Sequence, residues 1–362
     1  MLIKDILLYE QVIPLKTPFK TALRQVDTST SVILEIVTDN GFIGYGAAAP
    51  TAAITGETIP SIICVINDYI KPLLVNRVLD KSLLSVAASA IAHNTSAKSA
   101  VDMALYDLLA KEANLPLFKY LGGKKEKCLK NDITISLNPP EIMAADSKIA
   151  MENDIEILKI KLGGTAEEDI KRIDMVAAVS NNLILRLDAN QAWSFETAVK
   201  IINHCFEKGY KIELIEQPFK YYELELMKKL KEISRILILA DESVFDSHDA
   251  ERIIQMNYAN LINIKLAKCG GITEAIKICN IAEKARIRCL MGCMLESPIG
   301  IIAASHFAVA YSNITMYDLD VVELLKYNPI ISTVVFTPNN IFIKDIGIGL
   351  GISKIGNAMR II

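Results

Sequence analysis

Three acidic side chains follow one another at regular intervals in the middle of the chain, each at the end of a short apolar run. Asp188 ends LILRLD, Glu216 ends IELIE and Asp241 follows ILILA. Any one of them alone would be more typical of a helix cap or a loop charge. Three buried carboxylates in consecutive units require compensation, most simply by a divalent cation. Mg²⁺ accepts three monodentate carboxylates and keeps positions open for substrate, so we expect one Mg²⁺ per subunit.

Three lysines lie in the same kind of run. Lys159 and Lys161 alternate with Ile160, so their side chains share one face of the strand, and Lys265 ends LINIK two units beyond Glu216. A substrate held on the metal would then have an amine on each side. Low dielectric and neighbouring cations lower the pKa of an ammonium group, which is what a general base near neutral pH needs.

The unit that positions these groups repeats from residue 155 to residue 320: an apolar run, a polar end residue and an amphipathic helical segment. Successive polar end residues are about 24 to 28 residues apart, which suits one strand, one helix and two short loops. The pattern predicts an α/β fold whose strands form a (β/α)7β TIM-like barrel. Strand ends converge around the barrel axis, so these residues should form one site.

The remaining segments predict a second, α+β domain that caps the barrel. Residues 1 to 50 show strand patterns with a turn at Asp39-Asn40-Gly41, and 16 to 29 and 47 to 58 are expected to be loops. We expect helices at 57–74, 80–92 and 96–113, a capping domain of 1–125 with the tail 325–362, and a barrel of 126–324 whose first strand lies in 131–138.

Composition narrows the function classes. The net charge of −3 has interspersed signs and no basic stripe, which argues against nucleic acid and favours a small-molecule partner. No run of ~18 apolar residues predicts a membrane span, and the N-terminus does not resemble a secretory signal. Seven cysteines without C-x-x-C spacing indicate a reducing compartment, so a cytoplasmic protein is expected.

The combined motifs resemble the enolase superfamily, in its muconate-lactonizing subgroup. The resemblance rests on KIK at 159 to 161, the acids at three successive strand ends, Lys265 with the CGG that follows, and the helix motif A-x-S-A-V-D-x-A-L-Y-D-L-L-A-K at 97 to 111. It covers essentially the whole chain, with Tyr120 where a leucine is more usual. It implies a Mg²⁺-bound enolate formed by removing the proton α to a carboxylate, with Lys161 and Lys265 as bases and Lys159 stabilising the enediolate.

Strand seven, LMGCMLES, contains no histidine, whereas the resemblance implies a His base there in members that dehydrate or racemise hydroxy acids. His306 lies in an apolar helical run and is interpreted as a packed residue. Proton transfer at one carbon, cycloisomerisation and a syn-elimination remain open. Glu296 could contact Lys265 or a neighbouring loop, and Gly270-Gly271 is expected to be a turn that opens the next helix.

Strand eight favours proton transfer at one carbon. The resemblance implies that Asp318-x-Asp320 binds the α-ammonium of a dipeptide, although such a pair can also cap a helix. Two carboxylates would repel the anionic acids that the other reactions use. Arg24, in FKTALR, is implied to recognise a carboxylate on the second residue, and Thr134, Lys159 and Met294 complete the expected substrate contacts.

The sequence therefore predicts a Mg²⁺-dependent epimerase of dipeptides of the L-Ala-D/L-Glu kind, acting at the α-carbon of the C-terminal residue. Muconate cycloisomerase and o-succinylbenzoate synthase are the alternative enzymes, and a catalytically silent dipeptide-binding barrel is the alternative outside enzymes. The segment 47 to 49 (AAA) lacks the acidic residue that related sequences often carry there, which leaves the specificity open. A homo-oligomer and a role in cell-wall peptide recycling are also expected.

Overall fold

The N-terminal third forms an antiparallel sheet packed against helices. The computed structural model describes all 362 residues. Strands β1 (Ile3–Lys20), β2 (Gln25–Thr38) and β3 (Ile43–Ala48) pair in that order, and the predicted turn between β2 and β3 is present, with Gly41 at a φ of 84°. The helical segments lie close to the predicted ones: α1 (Ile59–Cys64), a π-helical turn (Val65–Ile70), α2 (Lys71–Leu74), α3 (Ser82–Ser89), α4 (Thr95–Glu112) and α5 (Leu117–Tyr120).

The prediction of a loop over residues 16 to 29 is wrong. The β1–β2 ladder continues to the pair Lys20 and Gln25, so only residues 21 to 24 form the turn. An irregularity in the ladder between Pro14 and Phe19 spans Pro18, which has no N–H to donate. The sequence pattern was misleading because eight of the fourteen residues are exposed, and only the backbone pairing identifies the segment as a ribbon.

Eight parallel strands form the predicted barrel, and each pairs with its neighbours in chain order. The strands are β5 (Ile133–Ile135), β6 (Ile157–Lys161), β7 (Ile184–Asp188), β8 (Ile212–Glu216), β9 (Leu237–Ala240), β10 (Leu261–Ile264), β11 (Arg288–Gly292) and β12 (Ile314–Asp318). The helices between them are α6 (Pro140–Glu152), α7 (Ala166–Ala177), α8 (Phe195–Lys208), α9 (Leu224–Ile233), α10 (Ser247–Gln255), α11 (Leu266–Cys269), α12 (Ile272–Lys284) and α13 (Pro298–Ala310). β5 and β12 are the two ends of this sheet, and no backbone ladder joins them.

An apolar cluster fills the barrel interior below the strand ends. It is separate from the main core and consists of Leu214, Leu239, Leu261, Leu290 and Met316. Leu214, Leu239 and Met316 each stand two residues before an acidic residue near the strand end, and therefore on the same inward face. The charged groups at the barrel mouth thus lie directly above a layer of buried apolar side chains.

The C-terminal tail contacts both parts of the chain. After α14 (Val321–Leu324) come β13 (Ile330–Ser332), β14 (Val335–Thr337), β15 (Asn340–Ile343), β16 (Ile352–Ile355) and β17 (Ala358–Arg360). β17 pairs with β1 of the first sheet, whereas β15 pairs with β4 (Lys127–Lys130), just before the barrel. The domain limits at 125/126 and 324/325 stay a prediction.

Helix α4 joins the N-terminal part to the barrel. Its Asp102 is buried and accepts a hydrogen bond from the backbone N–H of Thr273 at 3.0 Å, in the first turn of α12. Burial raises the pKa of Asp102 to about 7. Gly271 precedes α12 with a φ of 115°, and a Cβ at this position would lie 2.5 Å from the Asp102 carboxylate. The predicted glycine turn is therefore also a point where α4 and the start of α12 approach each other closely. No helix in the structure combines the length and the apolar surface that crossing a membrane would require.

Candidate active site

The strand ends bring the predicted lysines and carboxylates into one group. Lys161, Asp188 and Glu216 are neighbours in the ladders of β6, β7 and β8. Asp241 and Lys265 directly follow β9 and β10. All are buried, with at most 7% of the surface exposed. We call the following set the mouth cluster: Lys159, Lys161, Asp188, Glu216, Asp241 and Lys265.

The amines of the mouth cluster contact its carboxylates directly. Lys161 Nζ lies 2.6 Å from Asp188 Oδ2, and Lys265 Nζ lies 2.6 Å from Asp241 Oδ2. Lys159 lies deeper, outside the lining of the cavity described below, at 3.1 Å from Asp188. Lys161 and Lys265 thus stand on opposite sides of the carboxylate row, four strands apart in the sheet.

Several buried oxygens around this row have no hydrogen-bond partner. They are Asn190 Oδ1, Glu242 Oε2, Asn263 Oδ1 and Glu216 Oε2, the last of which lies 2.7 Å from Lys159 Nζ without hydrogen-bond geometry. Buried polar atoms are normally paired, so a group of unpaired oxygens beside carboxylates indicates a missing cationic partner. Oxygen donors of this kind suit Mg²⁺. The mouth cluster therefore fits a divalent cation, which Asp188, Glu216 and Asp241 would hold.

The pKa values of the lysines do not follow the sequence-based expectation. Burial lowers the pKa of Lys265, but Asp241, Glu216 and Asp318 together raise it more, and the net shift is upward. For Lys159 too, burial lowers the pKa and the neighbouring carboxylates raise it, with a net upward shift. The prediction of lowered lysine pKa values is therefore wrong for these two amines in the present arrangement, because carboxylates rather than cations are their nearest charged neighbours. Burial raises the pKa of Glu216 to about 8.

Sequence reasoning missed Lys268, which is 1% exposed and gives Asp241 a second amine. Its Nζ donates to Asp241 Oδ1 at 2.7 Å and also to the Asp241 carbonyl. Glu242 was missed as well, and burial together with the adjacent Asp241 raises its pKa to about 7. A signal for Lys268 was available, because LINIKLAKC places it three residues after Lys265, within a helical turn.

A cavity lies between the mouth cluster and the β1–β2 turn. Lys161, Asp241 and Lys265 line its barrel side together with Met294, and Arg24 lines it from the turn. No carboxylate pairs with the Arg24 guanidinium, and burial lowers its pKa. An unpaired, partly buried cation therefore faces the space above the lysines.

The remaining predicted substrate contacts meet where β12 and β5 come together. Asp318 Oδ2 accepts a hydrogen bond from Lys159 Nζ at 2.7 Å, and Asp320 Oδ2 accepts one from the Thr134 backbone N–H at 2.6 Å. The two acids are 4% and 3% exposed and do not line the cavity. Asp132, which the sequence did not single out, places a carboxylate oxygen within 4.8 Å of theirs. We call Asp132, Asp318 and Asp320 the seam cluster.

By spacing alone, the seam cluster, and not the set Asp188, Glu216 and Asp241, has carboxylate oxygens, one from each residue, all within 4.8 Å of one another and could hold a metal ion. It has one unpaired buried oxygen, Asp132 Oδ1, whereas four such oxygens surround the mouth cluster. Arg186 Nη1 already donates to Asp132 at 2.7 Å. The mouth cluster is therefore the better candidate for a divalent cation.

Two further predictions have clear outcomes. His306 is a packed residue, as expected: it is 1% exposed, and its Nδ1 accepts from the Phe118 backbone N–H at 3.2 Å. Burial lowers its pKa to about 4. Glu296 contacts the neighbouring loop, which is one of the two expected alternatives, because its Oε1 accepts a hydrogen bond from the Met294 N–H at 3.0 Å.

Two family descriptions match consecutive parts of the chain. Residues 3–122 match the mandelate racemase / muconate lactonizing enzyme N-terminal domain, and residues 143–354 match the enolase C-terminal domain-like family. Together they include every residue of the mouth and seam clusters except Asp132.

Individual proteins resemble the chain along its full length. An L-Ala-D/L-Glu epimerase of Clostridium acetobutylicum is 43% identical over 360 residues, covering 99% of this chain and 100% of the relative. The substrate-liganded L-Ala-D/L-Glu epimerase of Bacillus subtilis superposes with a TM-score of 0.94 at 40% identity, covering 97% and 99% of the two chains. The dipeptide epimerase of Enterococcus faecalis, complexed with Mg and L-Leu-L-Tyr, superposes with a TM-score of 0.93 at 37% identity. The match covers 98% of this chain and 100% of that one.

Proposed function

Because the chain belongs to the enolase superfamily and is an isomerase of the racemase and epimerase type, we propose that it is a Mg²⁺-dependent dipeptide epimerase. The reaction is 1,1-proton transfer at the α-carbon of the C-terminal residue. The observation that carries the proposal is the pair Lys161 and Lys265, which approach one cavity from opposite sides of the carboxylate row. Two amines facing one carbon from opposite sides are what inversion requires.

Different lysines of the chain transfer the proton and stabilise the negative charge. One of Lys161 and Lys265 takes the α-proton, and the other returns a proton on the opposite side. Lys159, below them, stabilises the negative charge that develops on the substrate carboxylate. When bound by Asp188, Glu216 and Asp241, Mg²⁺ would supply further stabilisation of that charge.

The substrate is proposed to be a dipeptide with an acidic second residue, such as L-Ala-D/L-Glu. Arg24 supports this choice, because its unpaired guanidinium lines the cavity and a side-chain carboxylate would pair with it. The seam cluster supports a free N-terminal ammonium, and Thr134 and Met294 are proposed as further substrate contacts. Names of relatives favour the same choice, although the Enterococcus faecalis protein was crystallised with L-Leu-L-Tyr.

Other finer points are proposals as well: one Mg²⁺ per subunit, a homo-oligomeric assembly, a cytoplasmic location and a role in cell-wall peptide recycling. The metal proposal rests on the site described above and on the Mg complexes of two similar dipeptide epimerases. The other three rest on the sequence-based expectations.

The proposal is tested by deuterium uptake at Cα. The protein is mixed with L-Ala-L-Glu and Mg²⁺ in D₂O, and mass and chirality of the second residue are followed. We expect exchange with inversion at that residue alone. If no dipeptide in a library exchanges although dipeptides bind, the protein is a silent binding barrel. Turnover of a muconate or succinylbenzoate precursor instead would favour the alternative enzymes.

Specificity is tested with Arg24→Ala. The variant should lose about ten- to a hundred-fold in kcat/KM for Ala-Glu, as expected for a charged pair of ~1.5–3 kcal/mol, and keep its chemistry on neutral second residues. Arg77→Ala, at an exposed arginine of the same domain, is the matched control. A native preference for cationic or hydrophobic second residues would contradict the role of Arg24 and leave the lysine roles intact.

A further inference from the structure

Side chains close the barrel where its backbone ladder is interrupted. The N–H of Leu319, just after β12, donates to Asn131 Oδ1 at 2.8 Å, and the N–H of Thr134 in β5 donates to Asp320 Oδ2 at 2.6 Å. Each bond satisfies a backbone group that would otherwise lie unpaired at the edge of the sheet. The position of Asp320 therefore depends on how closely β5 approaches β12.

Arg186 crosses the barrel interior from β7 to this seam. Its Nη1 donates to Asp132 Oδ2 at 2.7 Å and to the Tyr317 carbonyl at 2.7 Å. Its Nε donates to Glu213 Oε2 at 2.6 Å, and the residue is 2% exposed. Asp132 precedes β5 and Tyr317 belongs to β12, so a single guanidinium holds both edges.

The charges of the seam cluster do not balance. Arg186 pairs with Asp132, and Lys159 contacts Asp318 while it is also shared with the mouth cluster. Asp320 has no cationic partner and accepts only a backbone N–H. Asp132 also keeps one buried oxygen, Oδ1, without any hydrogen bond. One positive charge would complete the group.

We propose that Asp132, fixed by Arg186, is a positioning residue for the subsite that receives the ammonium group of the substrate. This rests on the proposed function, in which Asp318 and Asp320 bind that ammonium. Asp132 keeps the guanidinium of Arg186 away from the other two carboxylates. Without the Asp132 charge, Arg186 lies free within a buried acidic group and pairs with Asp318 or Asp320, which then compete less well for the substrate ammonium.

The test compares L-Ala-L-Glu with its N-acetyl form, which lacks the ammonium. In Asp132→Asn, kcat/KM for the free dipeptide should fall about ten-fold or more through KM, with little change in kcat, while that for the acetylated form stays the same. The double variant Asp132→Asn with Arg186→Met removes both charges and should recover part of the loss. A double variant that is no better than Asp132→Asn would overturn the proposal.

Glu213→Gln is the matched control, because Glu213 is the other carboxylate that holds Arg186 and is not in the seam cluster. It should leave the preference for the free amine unchanged. An unchanged preference in Asp132→Asn, or an equal loss for both substrates, also refutes the proposal. If Asp132→Asn does not fold, the double variant and Asp132→Glu are measured instead, with Asp132→Glu expected to retain the preference.

Calorimetric binding of the two dipeptides separates this inference from the proposed function. If the native protein binds the free dipeptide and discriminates against the acetylated one without exchanging Cα deuterium, the epimerase proposal fails and the ammonium subsite stands. If binding shows no preference for the free amine, the inference fails whatever the turnover.

Discussion

Two groups of three carboxylates both contact Lys159 in the barrel, and the other residues that neutralise them differ. Asp188, Glu216 and Asp241 of the mouth cluster lie at the ends of consecutive strands, and lysine amines contact them. The seam cluster lies across the one gap in the ladder, and Arg186 is the cation committed to it. Each group has one unpaired buried carboxylate oxygen, Glu216 Oε2 or Asp132 Oδ1, and three further unpaired oxygens, of Asn190, Glu242 and Asn263, lie around the first.

The choice of lysine or arginine as the neighbouring cation suits the two groups to different roles. A lysine amine can release and accept a proton, and its pKa responds to its surroundings, whereas a guanidinium stays protonated throughout the accessible pH range. Carboxylates that face lysines and free oxygens can therefore bind a metal and support proton transfer. In the seam cluster Arg186 pairs with Asp132, which leaves Asp320 without a cationic partner and able to hold a substrate charge. The predictions below test this division, in order of decreasing effect on turnover.

Metal removal should have the largest effect and should act on the mouth cluster alone. Chelation is expected to abolish Cα exchange, and added Mg²⁺ should restore it. Binding to the folded state should also raise the melting temperature in proportion to the logarithm of the Mg²⁺ concentration. Asp320→Asn should keep this thermal response, whereas Asp188→Asn should lose it. Full turnover in exhaustively chelated protein would disprove the metal assignment.

Loss of either lysine at the cavity should be nearly as severe. Lys161→Ala and Lys265→Ala should each lower kcat for epimerisation by about 10²- to 10⁴-fold, because a general acid or base contributes roughly that much. Stopped-assay chirality measurements give the rate. Lys277→Ala, an exposed lysine on α12, should be unaffected. Retained epimerisation in both cavity variants would rule out the two-base arrangement.

Asp320→Asn should weaken binding of the free dipeptide. KM for a free dipeptide is expected to rise about ten- to a hundred-fold with little change in kcat, because a charged contact of ~1.5–3 kcal/mol is lost. The N-acetyl dipeptide should show no such change. A fall in kcat at constant KM would mean that the seam cluster takes part in the chemistry, and the contrast between the clusters would not hold.

Titration of Asp320 should make KM depend on pH. Burial and the neighbouring Asp318 raise the pKa of Asp320 to about 6. The carboxyl is protonated below this pH and loses its attraction for an ammonium group, so KM should rise as pH falls through about 6. Steady-state kinetics across this range should show the rise in the native protein and a flat profile in Asp320→Asn. A matching rise in the variant would assign the titration to another group.

Asp102→Asn should leave turnover unchanged and alter stability. Its pKa is about 7 in the folded protein against an ordinary value of 3.8, so the folded state binds more protons than the unfolded state between these values. The free energy of unfolding should therefore fall as pH rises from about 4 to about 7. Denaturant titrations should show a smaller fall in Asp102→Asn. Asp5→Asn, whose carboxylate has a lowered pKa beside Lys71, is the control and should retain the native slope in this range.

The order of the barrel strands and the chemistry at their ends could be predicted because both are local properties of the chain. A buried parallel strand must be apolar along its length, so Asp188, Glu216 and Asp241 stood out against their runs. Alternation along β6 placed Lys159 and Lys161 on one face without any knowledge of neighbours. The ribbon formed by residues 16 to 20 and 25 to 29 had no such signal, because it depends on pairing between two polar segments.

The sequence by itself determined which groups converge at the barrel mouth, since the repeat fixes the number of strands and each end residue follows from its position in a strand. Only the tertiary structure decided which of those groups touch. Lys161 pairs with Asp188, Lys268 joins Asp241, and Arg24 is left without a partner. The same holds for the pairing of Arg186 with Asp132, 54 positions apart in the chain. Long side chains reach across strands that are distant in sequence, and desolvation and charge then set their pKa values, so no local pattern contains these contacts.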